Sequence, residues 1–246
     1  MHTAVILAAG LGTRLGLAAN GLPKCMVPVG GVPLIDRMIG RLADAGIQQV
    51  LVITGHKREV LEAHLAGSDR ALARAAVPVF NDRFAEWGNF YSLLVAEQAL
   101  SGAGYVSLDA DVLLDDTLLP KLLAAEGPAV LAIDCRGGLG DEEMKARVND
   151  SGRIIELSKH MDPLLAIGEF VGVERVDAEL TRQVFAKLRE IIERGETHEY
   201  YERAYQFLLD EGTEFHYTDV SDCAWYEIDD PADLAAAEQV LAQQRA

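Results

Sequence analysis

Cations, cysteines and long apolar runs are all scarce in this sequence, and each shortage removes a class of function. Lys and Arg number 22 against 39 Asp and Glu among 246 residues, a formal net charge of −17. Nucleic acid and anionic membrane surfaces would be repelled over most of such a molecule, whereas a small anion needs only a local basic pocket. The three cysteines, Cys25, Cys135 and Cys223, are odd in number and lack CxxC spacing. They supply neither a disulfide framework nor a zinc site, and a reducing, cytoplasmic setting is expected. The N-terminal apolar run is about seven residues long without a basic flank, and no later stretch reaches the roughly 20 residues of a membrane-spanning helix, so no membrane insertion is expected. A G-x-S-x-G elbow is missing, and the six histidines show no paired helical spacing, which removes a nucleophilic triad and a histidine metal site. Repeats and low-complexity tracts are missing too.

What is present is concentrated near the N terminus. An apolar, β-branched run over 3–7 ends in Ala8-Ala9-Gly10-Leu11-Gly12-Thr13-Arg14-Leu15-Gly16, followed by Pro23-Lys24. A buried strand that opens into such a loop lets the backbone approach a ligand closely, and its bare amides suit anionic oxygens. Two common phosphate loops do not match. A Walker A loop ends in Gly-Lys-Ser/Thr, and the dinucleotide fingerprint is G-x-G-x-x-G, whereas the spacing here is G-x-G-x-x-x-G. Clustered glycines also serve as plain strand-to-helix connections. A solvated connection has no need of cations at both ends, however, and Arg14 and Lys24 supply the charge a polyphosphate requires.

Downstream, helical and strand patterns alternate: helix 34–45 stopped by Gly46, strand 49–54, helix 57–65, strand 77–80, helix 89–100, strand 105–108. A short apolar strand is expected over 26–29. This order predicts an α/β fold with a mostly parallel sheet flanked by helices, whose ligands bind beyond the carboxyl ends of the strands. From Pro128 the strands shorten: 129–133, a hairpin 146–148 and 153–157 turned by Asn149-Asp150-Ser151-Gly152, then 170–173. Helices 178–194 and 199–209, strands 214–220 and 224–228, and a terminal helix begun by Pro231 complete the chain. We expect a single domain over 1–246; the resemblance of the glycine loop and Pro23-Lys24 to the nucleotidyltransferase signature implies a nucleotide-binding part over about 1–127, an acceptor-binding insertion over about 128–223, and a metal-ligand strand and helix over 224–246.

Asp109 and Asp111 follow a buried strand, and Asp229 ends a distant one. Two carboxylates with phosphate oxygens suit Mg²⁺, which takes few protein ligands. Helix capping is the competing reading, near Asp115 for the first pair and with Asp230 equally placed for the second. The glycine loop favours metal. With a phosphate or phosphonate acceptor, already ionised at neutral pH, no general base is needed, and catalysis reduces to alignment and charge neutralisation.

The strand, the A-A-G-x-G-T-R-L run and the following P-K resemble the nucleotide-binding signature of nucleotidyltransferases. The segment Phe80 to Leu93, with Trp87-Gly88-Asn89, and the ending Tyr226-Glu227-Ile228-Asp229 are similar to those of phosphocholine, inositol-1-phosphate and 2-aminoethylphosphonate cytidylyltransferases. The resemblance implies a Rossmann-like nucleotidyltransferase fold, CTP as donor, Mg²⁺ as cofactor, and a small phosphorylated or phosphonylated acceptor. It places Leu7, Ala8, Ala9, Gly10, Gly12, Thr13 and Arg14 at the nucleotide and Lys24 at its phosphates. It places Asn89 and Ser92 near the base and Asp111 and Asp229 at the metal, with Asp109 as a second candidate. Lys159, after an E-L-S-K segment similar to the lysine-bearing hairpin of related enzymes, joins Arg14 and Lys24 as a catalytic cation that screens the two anionic substrates from one another, and Glu169 is placed at the nucleotide or the acceptor. Trp87, Tyr91, Tyr200, Tyr201, Trp225 and Tyr226 are candidates for an aromatic cage around a quaternary ammonium. Asp141, Glu142 and Glu143 are candidates for a primary amine, and an inositol phosphate would need neither. The rival readings are a sugar-1-phosphate nucleotidyltransferase using UTP, GTP or dTTP, and a non-catalytic nucleotide-binding module.

Overall fold

The computed structural model describes residues 1–244. Strand β1 (Thr3–Ala8) is buried along its whole length and lies in the middle of the main sheet. Its side chains divide by the two-residue period of a strand: Ala4, Ile6 and Ala8 pack into the core on one face, Val5 and Leu7 into the core on the other. The glycine loop follows, then a 3₁₀ turn at Lys24–Met26 and a two-residue antiparallel pair, β2 (Pro28–Val29) and β3 (Val32–Pro33). The strand expected over 26–29 is therefore half turn. Pro23, with φ fixed at −55°, starts the turn, and the Met26 N–H closes it on the Pro23 carbonyl at 2.9 Å.

Helix α1 (Leu34–Asp44) buries Leu34, Ile35, Met38, Ile39 and Leu42 on one face and is followed by Gly46 at φ +82°. Strand β4 (Gln49–Thr54), helices α2 (Arg58–Ala66) and α3 (Ala71–Arg74) and strand β5 (Val77–Phe80) come next. The helix expected over 89–100 is divided into α4 (Phe90–Leu94) and α5 (Glu97–Leu100). At the division the Ala96 N–H bonds three residues back, to the Leu93 carbonyl at 3.1 Å, and the helix tightens locally. Strand β6 (Tyr105–Asp109) then pairs with β1, completing a parallel set in the order β5-β4-β1-β6. Ala8 lies opposite Thr54 and Leu7 opposite Asp109, so these strands end on one edge.

The chain continues through β7 (Val112–Leu114), α6 (Leu118–Ala124), β8 (Ala129–Asp134), β9 (Lys145–Val148) and β10 (Ile154–Ser158). It then passes through β11 (Gly168–Val176), α7 (Ala178–Glu193), α8 (Glu202–Asp210), β12 (His216–Asp219), β13 (Trp225–Glu227) and α9 (Pro231–Gln244). The β9–β10 hairpin forms as expected. The nine-residue β11 runs antiparallel to β6, β8 and β9 alike, so the strands after residue 128 join the central sheet as one nine-stranded structure. A third apolar cluster, including Leu15, Val29, Leu113 and Ile228, packs the glycine loop against β7 and the segment after β13.

One close approach locks α4 to the segment before α8. The Gly88 N–H bonds the Thr197 carbonyl at 2.8 Å, and the Asn89 side-chain oxygen accepts from the Tyr201 N–H at 3.0 Å. A β-carbon at Gly88 would overlap the Glu199 carbonyl oxygen, which is backbone and cannot swing aside. Gly88→Ala is therefore expected to cost about 1–3 kcal/mol and to lower the melting temperature by roughly 3–10 °C for a chain of this size. Thermal unfolding followed by circular dichroism checks this, and an unchanged midpoint would contradict the packing.

Candidate active site

The loop after β1 folds directly over Lys24. Gly12 is required there twice: its φ is +60°, and a β-carbon would lie 2.9 Å from Lys24 Cβ. Beneath the loop a cleft of about 440 Å³ opens along the carboxyl edge of the parallel strands. Leu7, Ala9, Gly10, Gly12 and Thr13 line one wall with Arg14 and Lys24. Ala8 does not line it, because strand alternation turns its methyl into the core on the opposite face. Asn89 and Ser92 line the same cleft. Ser92 accepts from the Nδ2 of buried Asn81 at 2.9 Å.

Asp111 and Asp229 meet because β13 pairs antiparallel with β7, with Glu227 opposite Val112 and the Ile228 N–H on the Asp111 carbonyl at 3.0 Å. A third acid joins them. One oxygen from each of Asp111, Glu227 and Asp229 lies within 4.8 Å of the others. Sequence reasoning missed Glu227, although its signal was available: positions 227 and 229 of a strand face the same side. Capping is done by the neighbours instead. Asp115 Oδ1 accepts from the Thr117 and Leu118 N–H groups at 2.9 and 3.1 Å, ahead of α6. Asp230 Oδ1 accepts from those of Ala232 and Asp233 at 2.7 and 3.0 Å, at the start of α9.

Lys24, placed at the phosphates by the resemblance, here reaches into the acidic trio. Its ammonium donates to Asp111 Oδ2 at 2.6 Å and also to Asp229 Oδ1, while Arg14 pairs with Asp229 Oδ2 at 2.6 Å. Burial alone would lower the Lys24 pKa, but the two carboxylates outweigh it and hold the ammonium above its ordinary value. Asp229, partly buried, is held below the usual carboxylate range by Lys24 and Arg14 in spite of that burial. Glu227 opens to the cleft, yet enclosure and the charges of Asp111 and Asp229 push it up to about 8.

Asp109, the second metal candidate, stands apart from the trio. Burial first, then the charges of Asp111, Glu202 and Glu174, raise its pKa well above the usual range, and the Tyr201 hydroxyl donates to its Oδ2 at 3.3 Å. Gly172, at φ +71°, leaves room for it: a β-carbon there would sit 2.5 Å from that oxygen. Asp109 is thus a hydrogen-bonded wall of the cleft.

Lys159 and Glu169 line the far end with Tyr200 and Glu202. The Lys159 ammonium lies 4.6 Å from the centre of the Tyr200 ring. Lys145 was not foreseen. Fully buried, it donates from Nζ to the Glu143 carbonyl at 3.1 Å and the Lys159 carbonyl at 2.6 Å, tying together two segments that border the cleft.

A family model described as MobA-like NTP transferase domain matches residues 4–199. Over 246 aligned residues the chain is 32% identical to CMP-5'-(3-aminopropyl)phosphonate synthase of Streptomyces rubellomurinus, covering 96% of this chain and 38% of that protein. Over 108 residues it is 39% identical to choline-phosphate cytidylyltransferase of Streptococcus pneumoniae, covering 44% of each. The chain thus spans about two fifths of the length of these relatives. Its fold matches that of the inositol-1-phosphate CTP transferase from T. maritima with a TM-score of 0.82 at 23% identity, over 97% of this chain and 94% of that one.

Besides Asp109 and Glu227, three further carboxyls near or beneath the cleft resist ionisation. Burial pushes Glu174 up to about 8; burial and neighbouring acids push Glu169 to about 7; burial pushes Glu202 to about 7. Each binds its proton more tightly folded than unfolded, so the stability they contribute is complete below the unfolded value of 4.5 and is lost as pH rises through 7 and 8. His216, depressed by burial and Arg153, works in the opposite sense, one group against these three and against Asp109 and Glu227, which are raised as well. The melting temperature of the ligand-free protein is expected to fall between pH 5.5 and 8.5, roughly the span over which these shifted groups titrate. A rise over that range, measured by differential scanning calorimetry, would contradict it.

Proposed function

The chain belongs to the MobA-like NTP transferase family, and on that premise we propose that it is a cytidylyltransferase. It joins CMP from CTP to a small phosphorylated or phosphonylated acceptor and releases pyrophosphate. The observation that carries this reading is the convergence, in one cleft, of glycine-loop backbone, Arg14 and Lys24 with the Asp111–Glu227–Asp229 trio. The names of the two curated relatives, both describing CMP transfer or cytidylyl chemistry, support CTP as donor.

An acceptor oxygen attacks the α-phosphorus of CTP, a new P–O bond forms, and the bond to the β-phosphate bridging oxygen breaks with its electron pair leaving on pyrophosphate. The acceptor oxygen is already ionised, so no side chain has to remove a proton. The chain's contribution is alignment and neutralisation. Loop amides hold the phosphates, Arg14 and Lys24 offset their charge, and Lys159 faces the anion of the acceptor. Lys24 reaches both Asp111 and the loop wall, so an entering triphosphate competes with the carboxylates for the same ammonium. Three carboxylates with oxygens within 4.8 Å of one another are hard donors that fit Mg²⁺. Asp111, Glu227 and Asp229 would hold the ion, which when bound supplies charge stabilisation to the triphosphate.

Pyrophosphate release across CTP, UTP, GTP and dTTP, each with several phosphorylated and phosphonylated acceptors, tests the reading. CTP is expected to exceed the other donors by about tenfold or more in kcat/KM, on the scale of a hydrogen-bond-read base. UTP, GTP or dTTP outperforming CTP with every acceptor would return the protein to the sugar-1-phosphate class, and no release with any pair would mark a non-catalytic module. Asp111→Ala is expected to lower kcat about a hundredfold or more while the protein stays folded. Near-normal kcat in that variant would remove Asp111 from the chemistry.

A further inference from the structure

The far end of the cleft contains a carboxyl oxygen without a hydrogen-bond partner. Glu202, in the first turn of α8, is only 6% exposed, lines the cleft, and its Oε2 is buried without a hydrogen-bond partner. A buried carboxylate oxygen left unpaired is costly, and such an atom at a cleft wall calls for a donor that arrives with a ligand. Its acidic surroundings select the kind of donor. Glu142, Glu143 and Glu169 border the same end, and burial with the charges of Glu143 and Asp134 pushes Glu169 up to about 7. A neutral hydroxyl would fill one hydrogen bond but leave this repulsion in place; a cation answers both.

The aromatic candidates separate a quaternary from a primary ammonium. A trimethylammonium has no N–H and is held by ring faces. Of the six Trp and Tyr candidates, only Trp87 and Tyr200 reach the cleft wall. The Tyr200 ring already carries the Lys159 ammonium, and Trp87 packs against Phe90 and Tyr91 with centroids 6.0 and 4.9 Å away. Tyr201 is buried with its hydroxyl on Asp109, and Trp225 spends its indole N–H on Asp134 at 2.8 Å. The candidates therefore assemble no cage.

We infer that the acceptor carries a primary ammonium, received by Glu202 with Glu169 beside it, at the end opposite its phosphorus. The inference rests on the transferase reading above. The acceptor is then a zwitterion, an aminoalkyl phosphonate or phosphate, with its anion towards Lys159 and its cation towards the unpaired carboxylate. Lys159, whose charge acts on both Glu169 and Glu202, provides the adjacent positive pole. Glu202 is a specificity residue for the acceptor and takes no part in breaking the P–O bond.

The test compares 2-aminoethylphosphonate, phosphoethanolamine, phosphocholine, inositol 1-phosphate and ethylphosphonate as acceptors with CTP. It uses the wild type, Glu202→Gln and Glu169→Gln, with thermal melts as a folding control. A primary amine is expected to exceed phosphocholine, inositol 1-phosphate and ethylphosphonate by about tenfold or more in kcat/KM, the scale of one charged hydrogen bond. The first two acceptors show whether the phosphonate or the phosphate is used. Glu202→Gln is expected to raise KM for the amine about tenfold, with a far smaller change in kcat, and to erase the advantage of the amine over ethylphosphonate. Glu169→Gln shifts the same KM in the same direction, which keeps the test available should Glu202→Gln fold poorly. Preference for phosphocholine or inositol 1-phosphate, or an amine KM unmoved in the folded variants, overturns the ammonium site while leaving the cytidylyl reading intact. Calorimetric binding of 2-aminoethylphosphonate, weakened by Glu202→Gln in a protein that releases no pyrophosphate from CTP, sinks the transferase reading and leaves the ammonium site standing.

Discussion

Everything at the glycine-loop end of the cleft depends on one cluster of opposed charges, the ammonium of Lys24 and the guanidinium of Arg14 against Asp111, Glu227 and Asp229. Three acids so close together would repel one another and splay β7 from the segment after β13 if nothing neutralised them. Lys24, with its side chain only 16% exposed, is that neutraliser. Removing one member of a buried ion pair typically costs about 3–5 kcal/mol, mostly as the penalty of the charge left behind. The cluster is in turn held by apolar packing beneath it, where Leu15 of the loop meets Leu113 of β7 and Ile228, which stands between Glu227 and Asp229. A chain whose net charge is −17 thus builds a local basic site by bringing its few cations onto its most crowded acids. The same cations then stand beside the cleft that an anionic substrate must enter.

The far end of the cleft is built differently, from burial. Strand β11 pairs with β6 over 173–176 and with β9 over 168–169, and between them a register shift against β8 places Gly172 beside Asp109, so Glu169 and Gly172 lie on the one strand that joins the parallel set to the β9–β10 hairpin. Under it lies a buried polar network in which the Tyr201 hydroxyl is 3.3 Å from Asp109 Oδ2 and 3.4 Å from Glu174 Oε2, and the Tyr205 hydroxyl donates to Glu174 Oε1 at 2.8 Å. Glu202 follows Tyr201 directly, so the network that fixes the tyrosine also fixes where α8 begins. Lys145 contributes from the opposite side by holding the Glu143 and Lys159 carbonyls. These groups give the far wall a set shape before any ligand arrives, which lowers the ordering cost of binding.

How far the sequence could be read follows from how local each signal is. The glycine loop, Arg14, Lys24, Asp111 and Asp229 stand in short motifs next to strand ends, and the structure brings them to one cleft. That these strands form a parallel sheet was legible for the same reason, from alternating periods along the chain; their order β5-β4-β1-β6 came only with the structure. Ala8 was misplaced because a motif read as a string ignores that adjacent strand residues face opposite ways. Glu202 and Lys145 were invisible because their importance comes from burial, which depends on elements far apart in sequence; a Glu at the start of a helix and a Lys at the start of a strand read as ordinary surface charges. The aromatic candidates failed as a group for a related reason. Composition counts rings, but only packing shows which faces are already covered.

The most direct measurement is CTP affinity by isothermal titration calorimetry, with and without Mg²⁺, for the wild type and for Lys24→Met. If the acidic trio and Lys24 together receive the triphosphate, Mg²⁺ tightens CTP binding to the wild type by about tenfold or more, and deleting the ammonium while keeping its apolar stem weakens binding by a similar factor, the scale of one charge-assisted contact. Equal CTP affinity under all four conditions would contradict the account, leaving Lys24 as a structural counter-charge and the cleft without its phosphate site.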